Sequence, residues 1–221
     1  MKIIAISDTH NRQKQIVIPQ CDVLVHAGDL TMGGTLGEVT RALIWLGEQK
    51  VNGTCKEVVL IAGNHDWLAE RDPDIFKRLC EENGLHYLND SGVEIDGVKF
   101  WGSPVQPEFF GWAFNRARTL TEAAYKQIKE IRQHWDLIPD GTDVLITHGP
   151  PHKVLDLTPR NEQVGCEELF KAVMRVKPKL NIFGHIHHSY GETVFMDTKF
   201  VNASICDEQY VPSKKPIEVE I

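Results

Sequence analysis

Five short apolar runs in this chain each lead into a side chain that can hold a metal ion. Lys2–Ser7 (KIIAIS) runs into Asp8-Thr9-His10, and Val23–Ala27 passes through Gly28 to Asp29. Val58–Ala62 passes through Gly63 to Asn64-His65-Asp66. Val144–Thr147 is followed by His148, and Leu180–Phe183 by Gly184 and then His185-Ile186-His187. Near-continuous apolar runs of this length read as strands covered on both faces. In open α/β sheets, ligands gather at the carboxyl ends of the strands. If the five runs lie side by side, their ends meet in one place, and no other feature constrains the chain as tightly.

Helical patterns separate several of these runs. Leu36, Val39, Leu43 and Leu46 step by three and four, giving one apolar face. Ile75, Leu79 and Cys80 follow Pro73, which suits a first helical turn. Thr121 is the expected N-cap of a helix over Glu122–Trp135. Glu167–Val176 reads as a further helix closed by Pro178. Val93–Ile95 and Val98–Trp101 flank Asp96-Gly97 as a hairpin, and a second hairpin is expected over Glu192–Val201. Pro216–Ile221 alternates as a half-buried edge strand. The pattern predicts an α/β fold in a single domain over 1–221. Two long loops, 103–119 and 149–164, are expected to be functional.

Charge and cysteine usage narrow the function. The 221-residue chain carries a formal net charge of −7 and no basic run, which argues against sequence-independent nucleic-acid binding. A small anionic substrate stays open, because a metal ion supplies positive charge locally. The five cysteines are odd in number, widely spaced and form no CxxC, as expected of reduced thiols. No charged leader precedes KIIAIS and no apolar run reaches the ~20 residues of a membrane span. The expectation is a cytoplasmic protein without membrane association, its oligomeric state left open.

The strand-end residues comprise Asp8, Asp29, Asn64, His10, His148, His185 and His187. Oxygen and imidazole donors suit Mn, Fe or Zn, and the lack of thiolates argues against a structural cysteine-type zinc site. Seven donors are too many for one ion and suit two with open positions. Asp29, alone in its segment, is the natural bridge. Two such ions lower the pKa of a shared water and bind phosphoryl oxygens.

The motifs DxH, GD, GNH[DE], HG and GHxH, in this order from Asp8 to His187, resemble the calcineurin-like metallophosphoesterase superfamily. HAGDLT, AGNHD, GWAFN, LIPDGTDVLITHGPP, VGCEEL, KPKLNIFGHIH and VNAS together resemble the metallophosphoesterase-domain-containing group within it. The resemblance implies a four-layer αββα sandwich of two mixed β-sheets flanked by helices. It implies two metal ions, the first held by Asp8, His10, Asp29 and His187, the second by Asp29, Asn64, His148 and His185. A hydroxide bridging them would attack a phosphodiester, with a nucleotide among the candidate substrates. His65 would protonate the leaving oxygen, and Asp66 would orient the His65 imidazole. Phosphomonoester hydrolysis, or nucleotide binding with little turnover, are the alternatives.

Other residues carry plainer readings. His26, among apolar neighbours, is expected to pack, and His86 and His134 to be solvated. His152 is expected to stay off the substrate, and Cys166 to begin a helix. In the aromatic loop, Trp112, Asn115 and Arg118 are the candidate substrate-binding residues, weighed against a simple hydrophobic cluster. His185 and His187 in an extended segment would point to one side, and His188 away.

Overall fold

The computed structural model describes residues 1–221. The strands are, in chain order, β1 (Lys2–Ile6), β2 (Cys21–Ala27), β3 (Cys55–Ile61), β4 (His86–Tyr87), β5 (Ser91–Ile95), β6 (Val98–Ser103), β7 (Gln106–Pro107) and β8 (Asn115–Arg116). There follow β9 (Val144–Thr147), β10 (Leu180–Phe183), β11 (Gly191–Phe195), β12 (Thr198–Asn202) and β13 (Ile217–Glu220). The helices are α1 (Leu36–Val51), α2 (Trp67–Arg71), α3 (Pro73–Glu82), α4 (Leu120–Lys126), α5 (Arg132–Trp135) and α6 (Glu167–Val176).

The five apolar runs are all strands, and their lack of alternation has the expected cause. One sheet has the order β13-β1-β2-β3-β4, the other β11-β12-β10-β9-β6-β5. Ile3 and Ala5 of β1 face the second sheet, where Phe100, Val144, Ile146 and Ile182 meet them in the central core. Ile4 and Ile6 of the same strand face outward onto α1 and α3. On the far side Leu145 and Phe183 pack against α5 and α6. Every central strand is therefore buried on both faces, in a helix–sheet–sheet–helix arrangement. β13 is an edge strand, antiparallel to β1.

Capping chemistry sets the helix ends. Thr35 and Glu38 form a reciprocal capping box at the start of α1. Cys166 caps α6, its sulfur accepting from the Leu169 N–H at 3.4 Å. The expected helix over 122–135 is two helices. Its first part starts earlier, at Thr119 as N-cap, and ends where Gln127 turns left-handed. Glu130 and Ala117 bridge in the gap, so loop 103–119 pairs with the backbone that a continuous helix would have consumed.

The carboxyl ends of both sheets are joined directly. The Ser7 N–H donates to the Ala203 carbonyl and the Ile205 N–H to the Ser7 carbonyl, each at 2.9 Å. β1, β2 and β3 run parallel, as do β9, β10 and β12. Their carboxyl ends therefore open on one side of the molecule, above this seam.

Candidate metal centre

All seven expected donors come together at that seam. Asp8 and His10 follow β1, Asp29 follows β2, Asn64 follows β3, His148 follows β9, and His185 and His187 follow β10. Asp8, His10 and His187 form one grouping, and Asp29, His148 and His185 another, with donor atoms within 4.8 Å of one another. Asp29 Oδ2 lies between them, 3.8 Å from His10 Nε2 and 3.4 Å from His148 Nε2. Asn64 Oδ1 joins the second group at 2.9 Å from His148 Nε2. His65 also falls within 4.8 Å of His10 and Asp29.

The tautomers show what these groups can hold. His10 donates from Nδ1 to the Thr31 carbonyl (3.2 Å), His187 to Asp207 (2.9 Å) and His148 to Ala27 (3.0 Å). Each ring is thus anchored on one side by a backbone acceptor and turns Nε2 toward the carboxylates. His10 Nε2 and His187 Nε2 face each other at 3.3 Å. Two imidazole lone pairs cannot bond each other, and facing an anion they repel it. A proton on His187, which Asp8 favours against burial, or a cation between them resolves both conflicts, and a second backbone bond on each histidine is the usual support of a metal site. The donor set therefore fits metal ions of the imidazole- and carboxylate-binding kind.

The carboxylates are held with equal care. Asp8 Oδ2 accepts from the His185 N–H and the Ser204 hydroxyl, both at 2.9 Å, leaving Oδ1 toward His187 at 3.2 Å. Asp29 Oδ1 accepts from the His65 N–H (2.8 Å), leaving Oδ2 to the histidines. Burial opposes ionisation of both, yet the neighbouring histidines hold both carboxyls below the usual range. Burial pushes His10 down to about 4, and burial with the His148 charge pushes His185 down to about 3. Both are neutral donors at pH 7. Burial also opposes charge on His148, but Asp29 and then Asp8 override it and raise His148 to about 9.

Backbone strain concentrates here. Asp8, His10, Asp29 and His185 all adopt left-handed φ, between 41° and 68°, each at a cost on the order of 1 kcal/mol. Glycine does the work where no side chain fits: a Cβ on Gly63 would overlap Asp29 Oδ1, and one on Gly184 would overlap Asp8 Oδ2. The left-handed His185 and the 3₁₀ turn over His187–Ser189 also correct the expected extended segment. The two rings reach different groups because the chain twists between them. His188 does not point away: it pairs with Glu208 at 3.3 Å, and both line the same cleft as His185 and His187.

Asp66 does not orient His65. Its carboxylate accepts from the Thr31 hydroxyl (2.7 Å) and from the N–H groups of Thr31, Leu30 and Gly63 at 3.0, 3.2 and 2.9 Å. It ties the loop carrying Asp29 to the loop carrying Asn64. Burial, then the Asp29 charge, push it up to about 6. His65 is oriented by the Met32 carbonyl, to which Nδ1 donates at 2.7 Å. Trp112 covers its other side, with ring centroids 4.3 Å apart.

The groups open into a cleft of about 310 Å³, walled by Phe109, Trp112 and Tyr210. Of the three residues proposed from the aromatic loop, only Trp112 lines it. Asn115 is buried, bonding the Phe109 carbonyl and Gln106, so it shapes the loop. Arg118 turns to Glu167 and to the Val164 and Gly165 carbonyls, holding the loop onto α6. Phe109 meets His185 edge-on at 5.0 Å, Phe114 is buried in the outer core, and Phe110 is exposed. The loop is thus part wall and part hydrophobic cluster.

His26 packs as expected, its Nε2 bonded to the Thr9 hydroxyl at 3.0 Å. His86 is partly exposed and pairs with Glu57 at 3.0 Å. His134 is not solvated: it is buried, 2.6 Å from Asp90, and accepts from Arg116. His152 stays off the cleft, 3.7 Å from Asp156. Tyr210, which crosses His10 edge-on at 4.8 Å, and Ser204 behind Asp8 were not legible as site residues. The motif VNAS contains Ser204, but nothing local marks Tyr210.

The family model described as calcineurin-like phosphoesterase matches residues 1–189. Human metallophosphoesterase domain-containing protein 1 is 38% identical over all of this chain and 71% of its own length. A UPF0046 protein of Caenorhabditis elegans is 36% identical over 98% of this chain and 74% of its own. One solved structure superposes with a TM-score of 0.60 at 18% identity, covering 91% of this chain and 89% of that one. That likeness is one of fold.

Proposed function

The chain belongs to the calcineurin-like phosphoesterase family, and from that premise we propose that it hydrolyses phosphodiesters at a site holding two metal ions. The observation that carries this reading is the convergence of three carbonyl-anchored histidines on the unshared oxygens of Asp8 and Asp29. Asp8, His10 and His187 would hold one ion, Asn64, His148 and His185 the other, and Asp29 both. Two such ions supply an activated water and offset the charge that builds on phosphoryl oxygens.

The protein's own groups do the rest. Trp112 and the Met32 carbonyl fix the His65 ring from two sides, which leaves Nε2 to face the departing ester oxygen, where the ring would act as general acid. Asp66 keeps Asp29 and Asn64 at a set separation. Neither lysine nor arginine lines the cleft, while Glu208 does. A dianionic monoester would find no cationic side chain there, which favours a singly charged diester. The aromatic walls suit a planar substituent, as on a nucleotide.

The test is to strip the protein, restore Mn, Fe or Zn, and assay a paired chromogenic diester and monoester together with cyclic nucleotides. Metal-dependent diester cleavage is expected. Monoester preference would overturn the diester assignment, and no turnover with two ions bound would make the chain a binding protein.

A further inference from the structure

At the opposite end of the first sheet two thiols stand side by side. Cys21 opens β2, Cys55 opens β3, and the two are direct partners in the parallel register. Neighbouring strands are ~4.8 Å apart, inside the ~4.4–6.8 Å Cα range over which a disulfide closes. Both side chains belong to the cluster under α1, so they share one face. Both line a cleft of about 390 Å³ with Lys2, Asp22 and Lys56, which gives a small oxidant access. Because each is the first residue of its strand, a small approach disturbs little of the ladder. Gly53 lies two residues before Cys55, in an open turn that can absorb the shift.

The environment of Cys21 sets it apart from the other four cysteines. The adjacent Cys55 thiol, then the Ile4 backbone and Lys2, hold the Cys21 thiol below its ordinary pKa against burial, while Cys21 and burial push the Cys55 thiol up. Cys80, Cys166 and Cys206 are buried without a thiol partner, and burial pushes each of them up. The thiolate is the reactive species, so the same chain contains three internal controls.

We propose that Cys21 and Cys55 are a reactive dithiol at which a peroxide closes a disulfide across β2 and β3. The Cys21 thiolate attacks one oxygen of hydrogen peroxide. The S–O bond forms, the O–O bond breaks, and the departing hydroxide takes up the proton Cys21 has released. Cys55 sulfur then attacks the Cys21 sulfenic sulfur; the S–O bond breaks and the hydroxyl leaves with the Cys55 proton as a second water. Two thiols are oxidised and one peroxide is reduced to two waters. The new bond staples the unit β2–α1–β3, whose far ends carry Asp29 and Asn64.

The purified full chain, treated with hydrogen peroxide and alkylated without reduction, tests this by peptide mapping. A linked Cys21–Cys55 peptide pair, lighter by two hydrogens, is expected before Cys80, Cys166 or Cys206 reacts. The thermal midpoint of the oxidised chain should rise by about 5 °C and return with dithiothreitol. Cys21→Ser and Cys55→Ser should each lose the link and the shift, and Cys21→Ala serves if a serine variant fails to fold. The proposal is overturned if Cys21 and Cys55 remain alkylatable after the other three have reacted. It is equally overturned if Cys21 proceeds to the sulfinic acid without linking. Neither reading depends on phosphoester turnover.

Discussion

His10 and His187 face each other through their Nε2 atoms at 3.3 Å, and each has its Nδ1 committed to a backbone carbonyl. No proton arrangement of two neutral rings satisfies Nε2 on both sides. Either a proton on His187, which Asp8 favours against burial, or a bound cation relieves this contact. Metal removal should lower the thermal midpoint, and Mn or Zn should restore it. Elemental analysis should find two ions per chain, one in His187→Ala and none in Asp29→Ala. Asp29→Ala should also lose more than about 100-fold in activity, beyond the 10–100-fold typical of a supporting residue. An Asp29→Ala protein that keeps two ions would refute the shared-carboxylate assignment.

Metal binding should release a proton from His148. Its pKa is raised to about 9 by Asp29 and Asp8 against burial, so it is protonated at pH 7 without metal, and the proton competes with the ion for Nε2. The sign follows: affinity rises from pH 7 toward 9 and flattens above. His10 and His185, pushed down to about 4 and about 3 by burial, contribute none in this range. Calorimetry in buffers of different ionisation enthalpy measures the release. A binding heat independent of buffer would contradict it.

Asp66 and His65 should separate by phenotype. Asp66 receives four hydrogen bonds in full burial, and Asp66→Asn turns a donor toward those donors. A loss of about 1–3 kcal/mol in stability and weaker metal binding are expected, by denaturant titration and metal titration. If Asp66→Asn left both untouched and altered only the pH profile, Asp66 would act on the His65 ring instead.

His65→Gln should keep both ions and the fold while lowering kcat by about 10²–10⁴. The loss should shrink for nitrophenyl esters, whose leaving oxygen needs no proton. Equal losses for nitrophenyl and alkyl diesters would remove the general-acid role.

Trp112→Ala should raise KM, because the ring lines the cleft beside His65. Arg118→Ala should leave KM unchanged and lower stability by about 1 kcal/mol, since its ion pair with Glu167 is partly exposed and worth little, and two carbonyl bonds add to it. A KM effect at Arg118 would return it to the substrate.

The legible part of this protein was what lies along the chain. Apolar runs long enough to be buried on both faces, each ending in Asp, Asn or His, determined the central strands and the donor set. Alternation in 216–221 and the turn at Asp96-Gly97 marked the edge strand and the hairpin. The break at Gln127 was not legible, because the pairing of Ala117 with Glu130 that forces it is remote in sequence.

Side-chain roles belong to the tertiary structure for the same reason. A residue's type states which bonds it can make, and only the packed neighbours decide which bonds it does make. Asp66 is next to His65 in the chain, yet the donors that surround its carboxylate come from Thr31, Leu30 and Gly63, so it braces two loops. Arg118 sits in the aromatic loop, but Glu167 is within its reach and the cleft is not. His134 is buried because Asp90 and Arg116 arrive to satisfy it. The residue pattern alone was enough to place Asp, Asn and His donors together at the strand ends. The fold decided which oxygen of Asp8 and Asp29 stays free, which nitrogen of each histidine turns inward, and that Tyr210 stands over His10.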